Sequence, residues 1–94
     1  MRAELSAAAL RDLEGIERYW ISRDPALYRD LTQALESTFA CLLNTPSAGS
    51  IVEKSNVRKW RIGRTPFLLF YRVKSDLLFV TRIRHQHQNW RRPH

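Results

Sequence analysis

The hydrophobic residues of this chain change their spacing once, near residue 50, and that change restricts the possible folds most strongly. Before it, apolar residues recur every three or four positions in two segments, the spacing of an amphipathic helix. After it, three short runs rich in Val, Ile, Phe, Leu and Tyr are typical of β-strands. Residues 47–50 (Ser-Ala-Gly-Ser) separate the halves and are too few for a domain linker. The sequence therefore predicts one α+β domain over residues 1–94, with helices first and most of the strands afterwards.

The first half predicts one strand and two helices. Residues 2–5 favour a short strand, and Ser6 is a suitable N-cap for a helix over about residues 6–21. Asp24 and the proline after it end this helix and begin another, because the carboxylate caps free amides and proline fits the first helical position. The second helix is predicted to reach about residue 43. Both helices carry an apolar stripe, so we expect a helical hairpin that packs on a core.

The second half predicts three consecutive strands. They cover about residues 56–62, 66–73 and 77–84, and Gly63 provides positive φ for the first turn. The predicted architecture is β-α-α-β-β-β, with the helical hairpin on one face of a small, mostly antiparallel sheet. By strict alternation, the residues that would face the helices are Phe67, Leu69, Tyr71, Val73, Leu77, Phe79 and Ile83. The opposite face would carry Leu68, Phe70, Leu78 and Val80 beside Arg72, Arg82 and Arg84.

Positive charge is concentrated in the second half. The net charge is +7; residues 1–47 hold five Arg and seven acids, whereas residues 48–94 hold eleven Lys or Arg and two acids. This asymmetry indicates an anionic partner, which could be nucleic acid, a ribosome or an acidic protein segment. An apolar patch rimmed by cations on the open sheet face would suit an acidic amphipathic partner. Alternatively, the C-terminal residues around Trp90 fold back over that patch.

Neither a membrane span nor a signal peptide is predicted. No apolar run approaches the roughly 20 residues that a bilayer requires, and no hydrophobic stretch follows Met1. The single Cys41 cannot form an internal disulfide, which suits a reducing cytoplasm. We expect this thiol on a buried helix face, where it acts as a small hydrophobic group.

An ordered set of short motifs resembles one toxin family along nearly the whole chain. The motifs are residues 6–16 (SAAALRDLEGI), Pro46 with Gly49, residues 57–63 (VRKWRIG), residues 70–73 (FYRV) and residues 80–85 (VTRIRH). In this order and spacing they resemble the ParE branch of the RelE/ParE superfamily of bacterial type II toxins. The resemblance implies the same β-α-α-β-β-β fold, and neutralisation by an antitoxin whose C-terminal segment wraps the toxin. It also implies growth arrest when the antitoxin is degraded, and hence plasmid stabilisation.

The resemblance leaves two activities open. RelE-like members cleave messenger RNA in the ribosome, whereas ParE-like members bind and inhibit DNA gyrase. Metal-free RNA cleavage needs a base for the 2′-hydroxyl proton and cations at phosphorus. The candidates for these roles are Arg61, Arg72 and Arg82 as cations and His85 or His87 as the base. Many RelE-like nucleases carry a tyrosine near the C-terminus, whereas the tyrosines of this chain are Tyr19, Tyr28 and Tyr71.

Structural roles are open for the same residues. Arg72 and Arg82 could be solvated strand cations, and His85 could be a hydrogen-bonded residue at a strand end. A metal site built from His85, His87 and His94 is disfavoured, because no Cys or carboxylate lies beside them. We therefore predict neither a metal nor a cofactor.

These observations favour a binding toxin over an enzyme. The leading hypothesis is a gyrase inhibitor that forms a hetero-oligomer with its antitoxin. The expected gyrase contacts are Arg82, Arg84, His85, Trp90, Arg91 and Arg92. The expected antitoxin contacts are Arg58, Arg61, Leu68, Phe70, Arg72, Leu78, Val80 and Arg82. The alternatives are a ribosome-dependent mRNA endonuclease and an inactive family member that only binds its antitoxin.

Overall fold

Residues 1–87 of the protein are described by a computed structural model. The elements are β1 (Arg2–Leu5), α1 (Ala7–Arg23), α2 (Pro25–Asn44), a 3₁₀ turn (Pro46–Ala48), β2 (Ser50–Ile51), β3 (Arg58–Arg61), β4 (Phe67–Lys74) and β5 (Leu77–His85). The strands form one sheet in the order β1-β5-β4-β3-β2. β1 is parallel to β5, and the other neighbouring strands are antiparallel. The predicted α+β fold is confirmed, while the two-residue strand β2 was not predicted.

Both helices begin at their predicted capping residues. The Ser6 hydroxyl accepts a hydrogen bond from Ala9 N at 3.0 Å, and the Asp24 carboxylate caps α2 in the same way at 3.1 Å. Ser6 also ties α1 to the sheet. Its amide donates to Val80 O at 2.9 Å, and its hydroxyl donates to Thr81 O at 2.8 Å. The start of α1 is therefore fixed against β5.

The core lies between the helical hairpin and one face of the sheet. Its buried apolar residues are Ala9, Leu31, Leu42, Ile62, Phe67, Leu69, Tyr71, Leu78, Val80 and Ile83. Trp20 and Trp60 pack against this cluster and stay partly exposed. Because both helices pack on this face, no helix within residues 1–87 covers the opposite face of the sheet, which we call the open face.

A β-bulge interrupts the pairing of β4 with β5. Phe70 pairs with Arg82, but the next residue, Tyr71, pairs with Val80, so Thr81 is an extra residue in β5. The Thr81 hydroxyl donates to Phe70 O at 3.2 Å, so a side-chain hydrogen bond joins β5 to β4 at the bulge. One extra residue reverses the alternation of side chains between the two faces.

The bulge makes the predicted faces of the first half of β5 wrong. Leu78 and Val80 are 0% exposed and belong to the core, although alternation placed them on the open face. Leu77 and Phe79, predicted to face the helices, pair with open-face residues of β4 and are partly exposed. Val73 keeps the core side, since it pairs with Leu78, but it lies near the end of β4 and is 41% exposed.

The segment between α2 and β3 is fixed by a buried tyrosine. The Tyr71 hydroxyl donates to Pro46 O at 2.7 Å and accepts from Gly49 N at 2.9 Å. A Cβ on Gly49 would lie 2.6 Å from that hydroxyl oxygen, so only glycine fits there. Arg58 donates to Gly49 O at 2.7 Å and to Ser47 O at 3.1 Å. Residues 47–50, which separate the helical half from the strands, are therefore held by side chains from β3 and β4.

Cys41 is exposed, which corrects the expectation of a buried thiol. The buried stripe of α2 is formed by Leu31, Thr38 and Leu42, and consecutive helical residues point roughly 100° apart. Cys41 therefore lies beside the stripe and not in it. In the part of the chain that the structure describes, no helix is long and apolar enough to cross a membrane.

Candidate interaction surface

The open face consists of rows of cations that flank an apolar centre. Residues that pair directly across strands share a face of the sheet. From β3 through β4 to β5, one row is Arg61, Leu68 and Arg84, the next is Lys59, Phe70 and Arg82, and a third joins Arg72 of β4 to Phe79 of β5. Neighbouring strands lie about 4.8 Å apart, so the cations of β3 and β5 in one row arise about 10 Å apart. The arrangement is basic at both sides and apolar at Leu68 and Phe70 of β4, and it becomes basic again at Arg72.

A groove of about 310 Å³ opens on this face between β5 and the loop before β3. Its lining comprises Val52, Ser55, Val57, Phe70, Thr81, Arg82 and Arg84. The Ser55 hydroxyl shapes the loop wall, because it donates to Val52 O at 3.0 Å and accepts from Val57 N at 3.1 Å. Phe70 is only 6% exposed and forms the apolar floor. The groove thus combines an apolar interior with two arginines on one side.

Arg82 is paired inside the molecule. Its Nε and Nη2 donate to the two carboxylate oxygens of Asp12 in α1, at 2.8 and 2.9 Å. Asp12 also accepts from Ile83 N at 2.9 Å, at the edge of β5 beyond the end of β1. The hydrogen bonds to Asp12 raise the pKa of Arg82 above its usual value, while burial opposes the shift. The charge of Arg82 is therefore largely compensated by α1.

The other predicted arginines differ in the contacts that their guanidinium groups form within the molecule. Arg61 donates to two backbone carbonyls of its own turn, Thr65 O at 2.9 Å and Arg64 O at 3.3 Å. Arg72 is exposed and lies 5.6 Å from the ring centroid of Phe79. Arg84 lines the groove and forms no ion pair with any residue in the range 1–87. The net positive charge available at the groove is that of Arg84.

His85 packs on the helix side of the sheet. Its ring stacks on Trp20 at 6.4 Å with an interplanar angle of 14°, and it meets the edge of Phe67 at 5.4 Å. The His87 ring is 5.2 Å away, and His87 N donates to His85 Nδ1 at 3.2 Å. Burial, and secondarily the neighbouring His87, lower the pKa of His85 from its ordinary 6.5. This imidazole is therefore neutral at pH 7 and lines a second groove, about 450 Å³, between α1 and β5.

The structure separates the residues that RNA cleavage would need. Arg61 and Arg72 lie on the open face, whereas His85 packs against Trp20 behind the sheet. Arg82 arises on the open face, but its guanidinium reaches the carboxylate of α1. Arg61 and Arg72 therefore lie on the face opposite His85, whereas Asp12, the partner of Arg82, lines the same groove as His85.

Several predicted contact residues have other positions. Leu78 and Val80 are buried in the core and are unavailable as antitoxin contacts. Arg58, predicted as an antitoxin contact, donates to the loop carbonyls of Gly49 and Ser47 described above. Trp90, Arg91 and Arg92, predicted as gyrase contacts, lie outside the described residues. Arg61, Leu68, Phe70, Arg72, Arg82 and Arg84 are brought together on the open face.

Sequence reasoning missed the second wall of the groove and the partner of Arg82. Val52 and Ser55 precede the predicted strand and show no periodicity, whereas Val57 lies within it and was given no contact role. Asp12 is one of several charged residues on the polar side of a helix, 70 positions before Arg82. Only the packing of α1 against the edge of β5 selects it.

The fold places the chain in a structural class that includes proteins of toxin-antitoxin systems. The chain resembles the chromosomal ParDE toxin-antitoxin system from P. aeruginosa, with a TM-score of 0.74 and 24% identity over 90% of this chain and 95% of that chain. It also resembles a chain of the intact E. coli RelBE toxin-antitoxin complex (TM-score 0.63, 13% identity, 92% and 96% of the two chains). A third similar structure is YafQ from E. coli BL21(DE3) (TM-score 0.61, 15% identity, 90% and 92%).

The sequence itself identifies the family. Residues 3–90 match the ParE toxin of type II toxin-antitoxin systems, parDE, and the chain belongs to this family. The comparison with curated proteins gave no match. The resemblance predicted from the ordered motifs is thereby confirmed, and the structural similarities, all below 25% identity, extend it at the level of the fold.

Proposed function

We propose that this chain is a toxin that inhibits DNA gyrase by binding it, and that a cognate antitoxin neutralises the toxin in a stable hetero-oligomer. The observation that carries the proposal is the separation of the cationic open face from the imidazole behind the sheet. A binding surface needs only complementary charge and shape, whereas a nuclease needs its groups at one phosphate. Growth arrest and plasmid stabilisation would follow from inhibition in the cytoplasm.

The proposed gyrase contacts lie at the end of β5 and beyond it. Arg84 supplies a cation without an ion pair among residues 1–87, Arg82 and His85 lie beside it in the strand, and Trp90, Arg91 and Arg92 continue the sequence. An aromatic residue among arginines is a composition enriched at binding hot spots. Gyrase inhibition is therefore expected to depend more on this end of the molecule than on the outer surface of the helices.

The proposed antitoxin surface is the open face. Leu68 and Phe70 offer apolar contact in its centre, and Arg61, Arg72 and Arg82 surround them. An acidic amphipathic segment matches this pattern, with its apolar side on β4 and its carboxylates towards the arginines. Two of the similar structures come from toxin-antitoxin systems, which supports a protein partner of this kind.

The test is a supercoiling assay with purified toxin, run beside a translation assay on ribosomes with a defined message. We expect the toxin to inhibit supercoiling or trap cleaved DNA, and to leave the message intact. Arg84→Glu should reduce inhibition at least tenfold, because a repulsive charge replaces the free cation at the contact. Arg18→Glu, on the exposed side of α1, makes the same charge change and is the matched control. Cutting of ribosome-bound message with normal supercoiling would refute the proposal.

A second candidate function, ribosome-dependent mRNA cleavage, is favoured by one observation. His85 and His87 lie 5.2 Å apart, and the lowered pKa of His85 keeps it in the neutral form that a general base requires. In this case His85→Gln would abolish message cutting while leaving antitoxin binding intact. Absence of growth arrest on expression, with antitoxin binding preserved, would instead identify a family member that only binds its antitoxin.

A further inference from the structure

The groove on the open face is an apolar slot with one uncompensated cation at its side. Its floor is Phe70, and Val52 and Val57 form the wall opposite β5. At about 310 Å³ it is at the lower end of ligand-site volumes, so it holds one large side chain and not an extended molecule. The slot is therefore suited to a single anchoring residue.

The two arginines of the groove are not equivalent. Arg82 already shares two hydrogen bonds with Asp12, so a new carboxylate at Arg82 would have to share or displace an existing one. Arg84 has no acidic partner among residues 1–87 and lines the same groove. A carboxylate that enters with an apolar side chain gains most at Arg84, because no acidic group in the described part of the chain pairs with that charge.

We infer that the groove binds one large apolar side chain of the antitoxin, and that Arg84 pairs with an acidic residue one or two positions away in the antitoxin sequence. This inference rests on the proposed function, since it names the occupant as the antitoxin. The two valines provide most of the apolar contact above the nearly buried Phe70, and Arg84 fixes the direction of the antitoxin segment across the sheet. Arg82 contributes to the groove wall, and because Asp12 already pairs with it, it is the weaker of the two charges for the partner.

The chemistry of the groove favours a protein segment over a nucleic acid. A phosphate backbone would require a track of free cations, and at this groove Asp12 compensates one of the two arginines. The apolar floor is nearly closed, with Phe70 only 6% exposed, so it does not present a ring face on which successive bases stack. A protein segment can use both features of the groove: an apolar side chain fills it, and a neighbouring carboxylate pairs with Arg84.

The experiment measures antitoxin binding to toxin variants by titration calorimetry. The antitoxin is the product of the reading frame next to the toxin gene. Arg84→Glu should weaken the affinity by roughly 30-fold or more, the range of an interface hot spot. Arg64→Glu, in the exposed β3–β4 turn, makes the same charge change and should stay within about threefold of wild type.

A second pair of variants tests the slot itself. Val52→Trp places a large ring in the groove and should weaken binding by roughly tenfold or more. Ile51→Trp is the matched control, because Ile51 is 59% exposed and does not line the groove. Circular dichroism and thermal unfolding check that every variant is folded.

The outcomes separate this inference from the proposed function. Wild-type toxin that fails to bind the antitoxin would overturn both. Normal wild-type binding with Arg84→Glu and Val52→Trp equal to their controls would overturn the groove assignment alone. A single-stranded oligonucleotide that loses affinity with Arg84→Glu, while the antitoxin does not, would reassign the surface to nucleic acid. Loss of antitoxin binding in both groove variants, with both controls unaffected, supports the inference.

Discussion

Asp12 joins α1 to the unpaired edge of β5 through three hydrogen bonds. Two come from Arg82 and one from Ile83 N, where β1 has ended and no strand covers the edge within residues 1–87. An open strand edge is a site of unwanted pairing, and a carboxylate on its amide blocks it. The same residue therefore stabilises the fold and compensates an arginine of the open face.

Two substitutions of Asp12 should lower the free energy of unfolding by different amounts. Asp12→Ala removes the acceptor of all three bonds and should reduce the free energy of unfolding by about 2 kcal/mol, a value limited by the partial exposure of Arg82. Asp12→Asn keeps an acceptor for Ile83 N and should cost about 1 kcal/mol. Urea unfolding followed by circular dichroism measures both. Equal stability of the alanine variant and wild type would contradict the role given to this carboxylate.

The Tyr71 hydroxyl contributes to stability because its partner Gly49 is buried and its partner Pro46 is partly buried. Tyr71→Phe leaves Pro46 O and Gly49 N without that partner and should reduce the free energy of unfolding by about 2 kcal/mol. Tyr28→Phe is a matched control, since its 2.6 Å bond to Glu17 is exposed and should be worth less than about 0.5 kcal/mol. Thermal unfolding of the two variants gives the comparison, and a similar loss in both would argue against the anchoring role.

At the scale of elements, the end of β5 is sensitive to pH through His85. Its pKa in the folded protein lies below 6.5, so protonation favours the unfolded chain. The stability from this group is fully present above pH 6.5 and is lost as the pH falls through the folded pKa. His87→Ala removes the smaller cause of the shift and should raise the pKa of His85, though not to its ordinary value, because burial against Trp20 remains.

Proton NMR titration of the imidazole ring protons measures this shift directly. In parallel, the loss of unfolding free energy between pH 7.5 and 5.5 should be smaller in His85→Gln than in wild type, since the glutamine does not titrate. Gln86→Ala, at an exposed neighbouring position without a titratable group, serves as the control for the stability measurement. An unchanged pH profile in His85→Gln would show that the stacked imidazole does not carry the effect.

The elements themselves could be predicted from the sequence because their signals are local. Ser6, Asp24 and Gly63 mark a helix start, a helix junction and a turn, and Gly63 has the expected positive φ of 58°. The faces of β5 could not be predicted. Thr81 is a good strand residue with no local sign of a bulge, and its effect appears only in the register with β4.

The candidate site was predictable only in part, for the same physical reason. Arg61, Arg72, Arg82 and Arg84 were identified from type and alternation, and their positions on the open face depend on strand pairing that the sequence suggests. Arg82 has an acidic partner in Asp12, and Arg84 does not pair with it. This difference could not be predicted, because Asp12 is distant in sequence and comes close to Arg82 only after folding. The charge pattern of the sequence indicates candidate cations, whereas tertiary contacts determine which of these cations can still pair with a partner.

At the scale of the whole molecule, the charge asymmetry of the sequence becomes a difference between two layers. The helices, residues 7–44, hold four Arg and six acids, whereas residues 58–87 hold eight Lys or Arg and one acid. The helices cover one face of the sheet, so the positive layer is presented by the open face and its edges. An acidic partner should therefore be steered to the sheet side of the molecule.

Two double variants with the same net charge test this steering. Arg72→Glu with Lys74→Glu changes exposed cations of β4, and Arg18→Glu with Arg29→Glu changes exposed cations of the helices. The association rate with the antitoxin at low salt should fall by roughly tenfold in the first variant and by less than about threefold in the second. At 1 M salt, where the Debye length is about 3 Å, the two rates should approach each other. Stopped-flow fluorescence measures them, and equal rates at low salt would mean that net charge alone, and not its placement on the open face, governs the encounter.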